Sequence, residues 1–114
     1  KMWAWTDNDG SPFDALSRDA ILDNIMLYWL PGTGASSARI YWESFGDMAA
    51  HQIELPAAMS AFPKEILRTP RKWAERSFHN IVHWGDMDKG GHFAAWEQPE
   101  AFVHEVRTAF GKMG

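Results

Sequence analysis

The chain contains 114 residues, with a formal net charge of −4, an isoelectric point near 5.7 and no cysteine. That length suits one small folded domain, and the 46% hydrophobic content excludes a disordered tail. The acidic balance argues against a nucleic-acid partner, which usually meets a clustered basic face. The absence of cysteine excludes disulfides, thiolate metal sites and a cysteine nucleophile, and it fits a reducing compartment such as the cytoplasm.

The first half of the chain predicts helices. Residues 1–16 mix aromatic side chains with turn formers and predict an irregular segment. A helix is expected to begin after Ser17, which is a good N-cap, and to end at the first proline-glycine pair. Ser36 or Ser37 is the candidate cap of a second helix that runs to about Phe45. Together the two helices predict a helical hairpin.

The second half alternates between strands and helices. The apolar stretches Ile53–Ser60 and Phe78–Trp84 predict two strands, although Pro56 weakens the first or moves its start beyond the proline. A short helix is expected over 70–75, and a last helix opens near Pro99. This alternation is typical of an open α/β sheet. Because two strands alone would expose both edges of that sheet, we expect the chain to be part of a larger fold.

His92 is the first candidate for a catalytic residue. It follows two glycines in a loop that comes after the second predicted strand. α/β folds place catalytic groups on loops beyond the carboxyl ends of their strands. The alternative is a loop histidine with no catalytic role. That alternative would be preferred for a Gly-Gly-His sequence that did not follow a predicted strand.

Glu65 is the candidate partner of that histidine. It follows the first predicted strand, so the two side chains can meet above adjacent strand ends, where a carboxylate would fix the imidazole tautomer. Spacing alone favours a solvated glutamate in a basic loop, and Asp86 and Asp88 are rivals for the acid role. A tyrosine hydroxyl on the hairpin, Tyr41 or Tyr28, is either a proton donor in a cleft or an ordinary half-buried aromatic.

Two kinds of site are not expected. The remaining histidines are scattered and show no compact metal-ligand spacing, so neither a metal nor another cofactor is predicted. No Gly-x-Ser-x-Gly segment, nor its aspartate equivalent, marks a nucleophile at a strand-to-helix turn.

The segment Gly90–Glu100, GGHFAAWEQPE, closely resembles the sequence around the catalytic histidine of microsomal-type epoxide hydrolases, in the α/β-hydrolase superfamily. The resemblance covers nearly the whole chain from about Trp5 onward. The other segments that carry it are Ile25–Trp29, Gly32–Thr33, Ser36–Ser37, Arg39–Tyr41, Phe62–Leu67 and Thr69–Trp73.

The resemblance implies the α/β-hydrolase fold, with residues 1–46 as the end of a helical lid and 47–114 as the C-terminal part of the core. It also implies three roles: His92 as the base that activates water, Glu65 as its acid partner and Tyr41 as a lid tyrosine. The family's nucleophilic aspartate, oxyanion-hole segment and second lid tyrosine lie earlier in its sequence. The isolated 114 residues are therefore expected to be inactive.

The implied reaction opens an epoxide to a vicinal diol through an alkyl-enzyme ester. The expected partners are a small apolar epoxide, water and the N-terminal part of the same hydrolase, with no nucleic acid, and a homo-oligomer remains open. Nothing in the sequence is membrane-seeking, so a soluble cytoplasmic protein is expected. The alternatives are another aspartate-nucleophile hydrolase, such as a haloalkane or haloacetate dehalogenase, or an inactive fragment that needs its N-terminal half.

Overall fold

The computed structural model of the chain describes residues 1–44 and 51–113. Contacts divide the chain into two units, one formed by residues 1–16 and 51–114 and the other by residues 17–50. Whether the lid ends at residue 46 stays a prediction. The structure groups residues 1–16 with the unit that contains the sheet.

The first unit opens with helix α1, Met2–Trp5, and a 3-10 helix, Pro12–Asp14. The prediction of a wholly irregular segment was therefore wrong. The 3-10 helix begins where Ser11 accepts a hydrogen bond from the backbone N–H of Phe13 and Asp14 accepts one from that of Ser11. Reciprocal capping of this kind stabilises a helix too short to be stable by itself.

The second unit contains helix α2, Arg18–Trp29, followed by the short helices α3, Gly34–Ser37, and α4, Arg39–Ser44. The helix after Ser17 is confirmed, since the Ser17 hydroxyl accepts a hydrogen bond from the backbone N–H of Ala20 at 3.2 Å. The predicted second helix is instead two helices, and its predicted end at Phe45 lies outside the described residues. Ser36 and Ser37 do not cap it, because both lie inside α3 and donate to backbone carbonyls of the preceding turn.

The sheet is formed by the parallel strands β1, Ala57–Ala61, and β2, Ile81–Asp86. β1 begins after Pro56, whose missing N–H cannot enter the ladder. The prediction that Pro56 moves the start of the first strand beyond the proline is therefore confirmed, whereas β2 starts later than the predicted Phe78. Ile53 forms only an isolated bridge with Phe78. Pairing resumes beyond the strands at a second isolated bridge, Lys64 with Gly91.

Three further helices complete the first unit: α5, Arg71–Ala74, α6, Ala94–Glu97, and α7, Pro99–Gly111. The start of α7 at Pro99 confirms the prediction, whereas α6 was missed because one turn gives no periodicity. Among the described residues, the buried apolar side chains are Leu16, Phe62, Ala74 and Ala109. Within residues 1–44 and 51–113, no helix has the length and apolar character that a membrane span requires.

Candidate active site

The parallel pairing of the sheet brings two loops together beyond its carboxyl ends. The backbone N–H of Lys64 donates to the carbonyl of Gly90 at 3.0 Å, and this bond extends the ladder past β1 and β2. The two loops pair at Lys64 and Gly91, so the residues that follow them, Glu65 in one loop and His92 in the other, lie side by side. Register, rather than sequence proximity, builds this part of the site.

A hydrogen bond joins those two side chains. Nδ1 of His92 lies 2.8 Å from Oε1 of Glu65, with the imidazole 40% exposed and the carboxylate 33% exposed. An ionised carboxylate only accepts hydrogen bonds, so Nδ1 carries a proton, and in the neutral imidazole the lone pair is then on Nε2. Of the three acids considered for this role, Glu65 makes the contact, while Asp86 accepts a bond from the Trp84 indole.

The ionised form of Glu65 is favoured by its surroundings. Partial burial is the largest single effect and acts to raise the pKa of this carboxyl, but the hydrogen bonds from His92 and from the backbone of Ile66 act against it. The Ile66 N–H donates to Oε1 at 2.6 Å. The net result is a pKa of Glu65 below its ordinary value, so the pair keeps its acceptor at neutral pH.

His92 also contacts Trp5 of the N-terminal segment and its own neighbour Phe93. Its backbone N–H donates to the carbonyl of Trp5 at 2.8 Å. The Trp5 indole packs edge-on against the imidazole, with ring centroids 5.1 Å apart, and the Phe93 ring does the same at 5.2 Å. The sequence analysis assigned no role at the site to these two aromatic side chains.

Two glycines before His92 are required by close packing. Gly90 has φ +114°, a conformation that favours glycine, and an added Cβ would meet the buried Phe62 ring at 2.7 Å. At Gly91 an added Cβ would lie 2.6 Å from the carbonyl oxygen of Trp5. The Gly-Gly sequence is thus explained by the approach of two backbone segments.

Tyr41 belongs to the second unit, whereas the structure brings Glu65 and His92 together in the first. It lies on α4 with 49% of its surface exposed. A shallow depression of about 600 Å³ is lined by Tyr41 and Trp42 together with Ala35, Ala38 and Arg39. The surface of this depression is mainly apolar.

A second histidine–glutamate pair lies away from His92. Nε2 of His83 on β2 is 2.8 Å from Oε2 of Glu105 on α7, and these side chains are 10% and 9% exposed. The Ser60 hydroxyl donates to the same carboxylate oxygen at 2.9 Å, so it does not contact the imidazole as a nucleophile would. Within the described part of the chain, no group of three or more acidic or histidine side chains could hold a metal ion.

Comparison with known proteins shows what the chain is similar to. A protein of Stigmatella aurantiaca, named "Putative epoxide hydrolase", is 50% identical over 114 residues, which cover 99% of this chain and 26% of that protein. The chain is homologous to the epoxide hydrolases of the α/β-hydrolase superfamily. Epoxide hydrolase 1 of Sus scrofa is 37% identical over 123 residues, covering 97% of this chain and 27% of that enzyme.

The fold agrees with this assignment. The crystal structure of juvenile hormone epoxide hydrolase from the silkworm Bombyx mori matches 99% of this chain with a TM-score of 0.89 at 29% identity, and 31% of that chain is covered. The predicted α/β-hydrolase fold is therefore confirmed. The chain spans about a quarter of the length of the curated epoxide hydrolases it matches. No protein-family model matches it.

Proposed function

We propose that the protein containing this chain hydrolyses epoxides to vicinal diols, with His92 as the base that activates water. The observation that carries this proposal is the hydrogen bond between His92 and Glu65, found in a chain homologous to epoxide hydrolases. Because Nδ1 donates to the carboxylate, Nε2 is available to take a proton from water.

The first step forms an ester. An aspartate carboxylate supplied from outside these 114 residues attacks one epoxide carbon, the C–O bond of the ring breaks, and the oxygen takes a proton from a tyrosine hydroxyl. Tyr41 is the proposed donor in this chain. Its half-exposed position beside an apolar depression suits an apolar epoxide that presents a single polar oxygen.

The second step releases the diol. Nε2 of His92 takes a proton from a water molecule, whose oxygen attacks the ester carbonyl carbon. The bond between that carbon and the alkyl oxygen then breaks, and the proton returns from the imidazolium to the leaving alkoxide. Glu65 stabilises the imidazolium that exists between these transfers. The aspartic acid that remains gives its proton to the tyrosinate left by the first step, so the aspartate and the tyrosine hydroxyl are both regenerated. Water is the only reactant consumed besides the epoxide.

We also propose that the isolated chain forms no diol. Large apolar side chains are exposed in both units, among them Trp29 at 76%, Trp42 at 90% and Trp73 at 63%. Contiguous exposed apolar surface usually marks a contact with further protein. This exposure supports the proposal that the chain is active only together with the segment that provides the nucleophile.

The test uses the full-length protein with an apolar epoxide such as styrene oxide. The wild type should form diol, while His92→Gln should gain the mass of one epoxide and stall as the ester. His104→Gln, which changes an exposed histidine on α7, is the matched control and should turn over normally. Absence of diol from the wild type, or unchanged turnover by His92→Gln, would overturn the proposal. Halide release from a haloalkane without epoxide hydrolysis would instead favour a dehalogenase.

A further inference from the structure

Glu97, on the one-turn helix α6, is a buried carboxylate that receives three backbone hydrogen bonds. Only 8% of this residue is exposed. Its Oε2 accepts from the N–H of Asp7 at 2.7 Å and of Gly91 at 3.0 Å, and its Oε1 accepts from the N–H of Phe93 at 3.0 Å. A buried carboxylate is costly unless it is hydrogen-bonded, and three charge-assisted bonds meet that requirement.

Two of the three donors flank His92. Gly91 and Phe93 are the residues immediately before and after it, so Glu97 fixes the backbone on both sides of the imidazole. The third donor, Asp7, belongs to the N-terminal segment and is 90 residues from Glu97 in the sequence. One side chain therefore holds the histidine loop and joins it to a distant segment.

The N-terminal segment is the one that contacts His92 directly. Trp5, two residues before Asp7, accepts the backbone N–H of His92 and packs its indole against the imidazole. The Asp7 carboxylate accepts the N–H of Gly90 at 2.9 Å, so the two segments are joined a second time. Movement at Glu97 would thus be transmitted to both the backbone and the ring contacts of His92.

We propose that Glu97 is a positioning residue for the hydrolysis of the ester intermediate. This inference rests on the proposed function, since it assigns to Glu97 the orientation of the base used in that reaction. Glu65 holds the imidazole at Nδ1, and Glu97 holds the peptide groups from which the imidazole extends. Glu97 touches neither the water nor the ester and acts only through His92.

The kinetic signature follows from the step affected. Proton transfer from water occurs in ester hydrolysis and not in ester formation, so a misplaced His92 slows the second step alone. The ester then accumulates, and kcat and KM fall together while kcat/KM stays nearly constant. A displacement of about 1 Å in a reacting group can lower a rate by roughly 100-fold.

The decisive variant is Glu97→Gln in the full-length protein. The amide has one acceptor oxygen in place of two, so at least one of the three N–H groups loses its partner. We expect kcat and KM both to fall by about 10- to 100-fold, with ester visible by intact-protein mass spectrometry. Glu105→Gln is the matched control, because it removes an equally buried carboxylate away from His92. It should lower stability and leave KM unchanged.

If Glu97→Gln does not fold, Glu97→Asp tests the positioning role instead, because aspartate retains the charge and both carboxylate oxygens. We expect it to lower kcat and KM together by a smaller factor. Unchanged kinetics, or a lower kcat at constant KM with no ester, would overturn the positioning role and leave the proposed function intact. If the wild type forms neither ester nor diol, the proposed function itself has failed.

Discussion

Nδ1 of His92 lies 2.8 Å from Oε1 of Glu65, although the two residues are 27 positions apart in the sequence. Each follows one of the two parallel strands, and the Lys64–Gly91 bridge sets them side by side. Such a contact fixes an imidazole tautomer and stabilises its protonated form at a place where substrate could reach.

Replacing Glu65 by glutamine should slow turnover while preserving the fold. The amide oxygen can still accept a hydrogen bond from Nδ1, but the amide has no negative charge to stabilise the imidazolium. We expect kcat to fall by about 100-fold or more, measured as diol formation by the full-length protein. Glu75→Gln, on an exposed glutamate paired with Arg71, is the control and should retain full activity. Equal activity of the two variants would contradict the proposed role.

Replacing Tyr41 by phenylalanine should slow ester formation rather than ester hydrolysis, because it removes a proton donor to the opening ring. We expect a loss of about 100-fold or more in the single-turnover rate of ester formation. Tyr28→Phe is a matched control, since Tyr28 is 46% exposed and Tyr41 is 49% exposed, on helices of the same unit. If Tyr28→Phe caused the loss and Tyr41→Phe did not, the donor would be Tyr28.

The buried pair of His83 and Glu105 should make stability depend on pH. Burial is the largest effect on the Glu105 carboxyl and acts to raise its pKa, but hydrogen bonds from His83 and Ser60 outweigh it, so the pKa lies below its ordinary value. A lowered pKa in the folded state stabilises the protein above the ordinary glutamate value of about 4.3, and this contribution is lost as pH falls through the folded-state pKa.

Urea denaturation of the full-length protein at pH 7 and at lower pH tests that relationship. Glu105→Gln should lower the free energy of unfolding by about 1–3 kcal/mol at pH 7, because buried donors lose a charged acceptor. Its stability should then change less with acidification than that of the wild type. A variant that lost as much stability as the wild type between the two pH values would show that Glu105 does not contribute to the acid sensitivity.

Adding a methyl group at Gly91 should disturb the site. Its Cβ would lie 2.6 Å from the Trp5 carbonyl oxygen and 2.9 Å from the Asp7 nitrogen, which are backbone atoms with little freedom to move. We expect Gly91→Ala to destabilise the protein by about 1–3 kcal/mol and to slow diol formation. Gly111→Ala adds the same group at the end of α7 with no atom within 4 Å. In thermal denaturation, Gly111→Ala should have the same melting temperature as the wild type or a slightly higher one.

Glu97 shows where sequence reasoning about the site stopped. It lies within the Gly90–Glu100 segment, five residues after His92. An acidic residue near the start of a helix usually has only a local electrostatic role. The signal that could have drawn attention to it is its position directly after Ala94, Ala95 and Trp96, at the end of an otherwise apolar turn. Its bond to Asp7 could not have been found this way, because nothing in the sequence pairs residues so far apart.

Local chemistry determined the features that the sequence predicted correctly. Ser17 caps α2, Pro99 opens α7, and Pro56 delays β1, because each effect depends on a residue and its immediate neighbours. The likeness of the Gly90–Glu100 segment to epoxide hydrolases likewise belongs to the sequence. Only the tertiary structure decided the register that joins Glu65 to His92 and the burial of Glu97 against Asp7. Such contacts depend on how separated segments pack, and packing is a property of the folded chain as a whole.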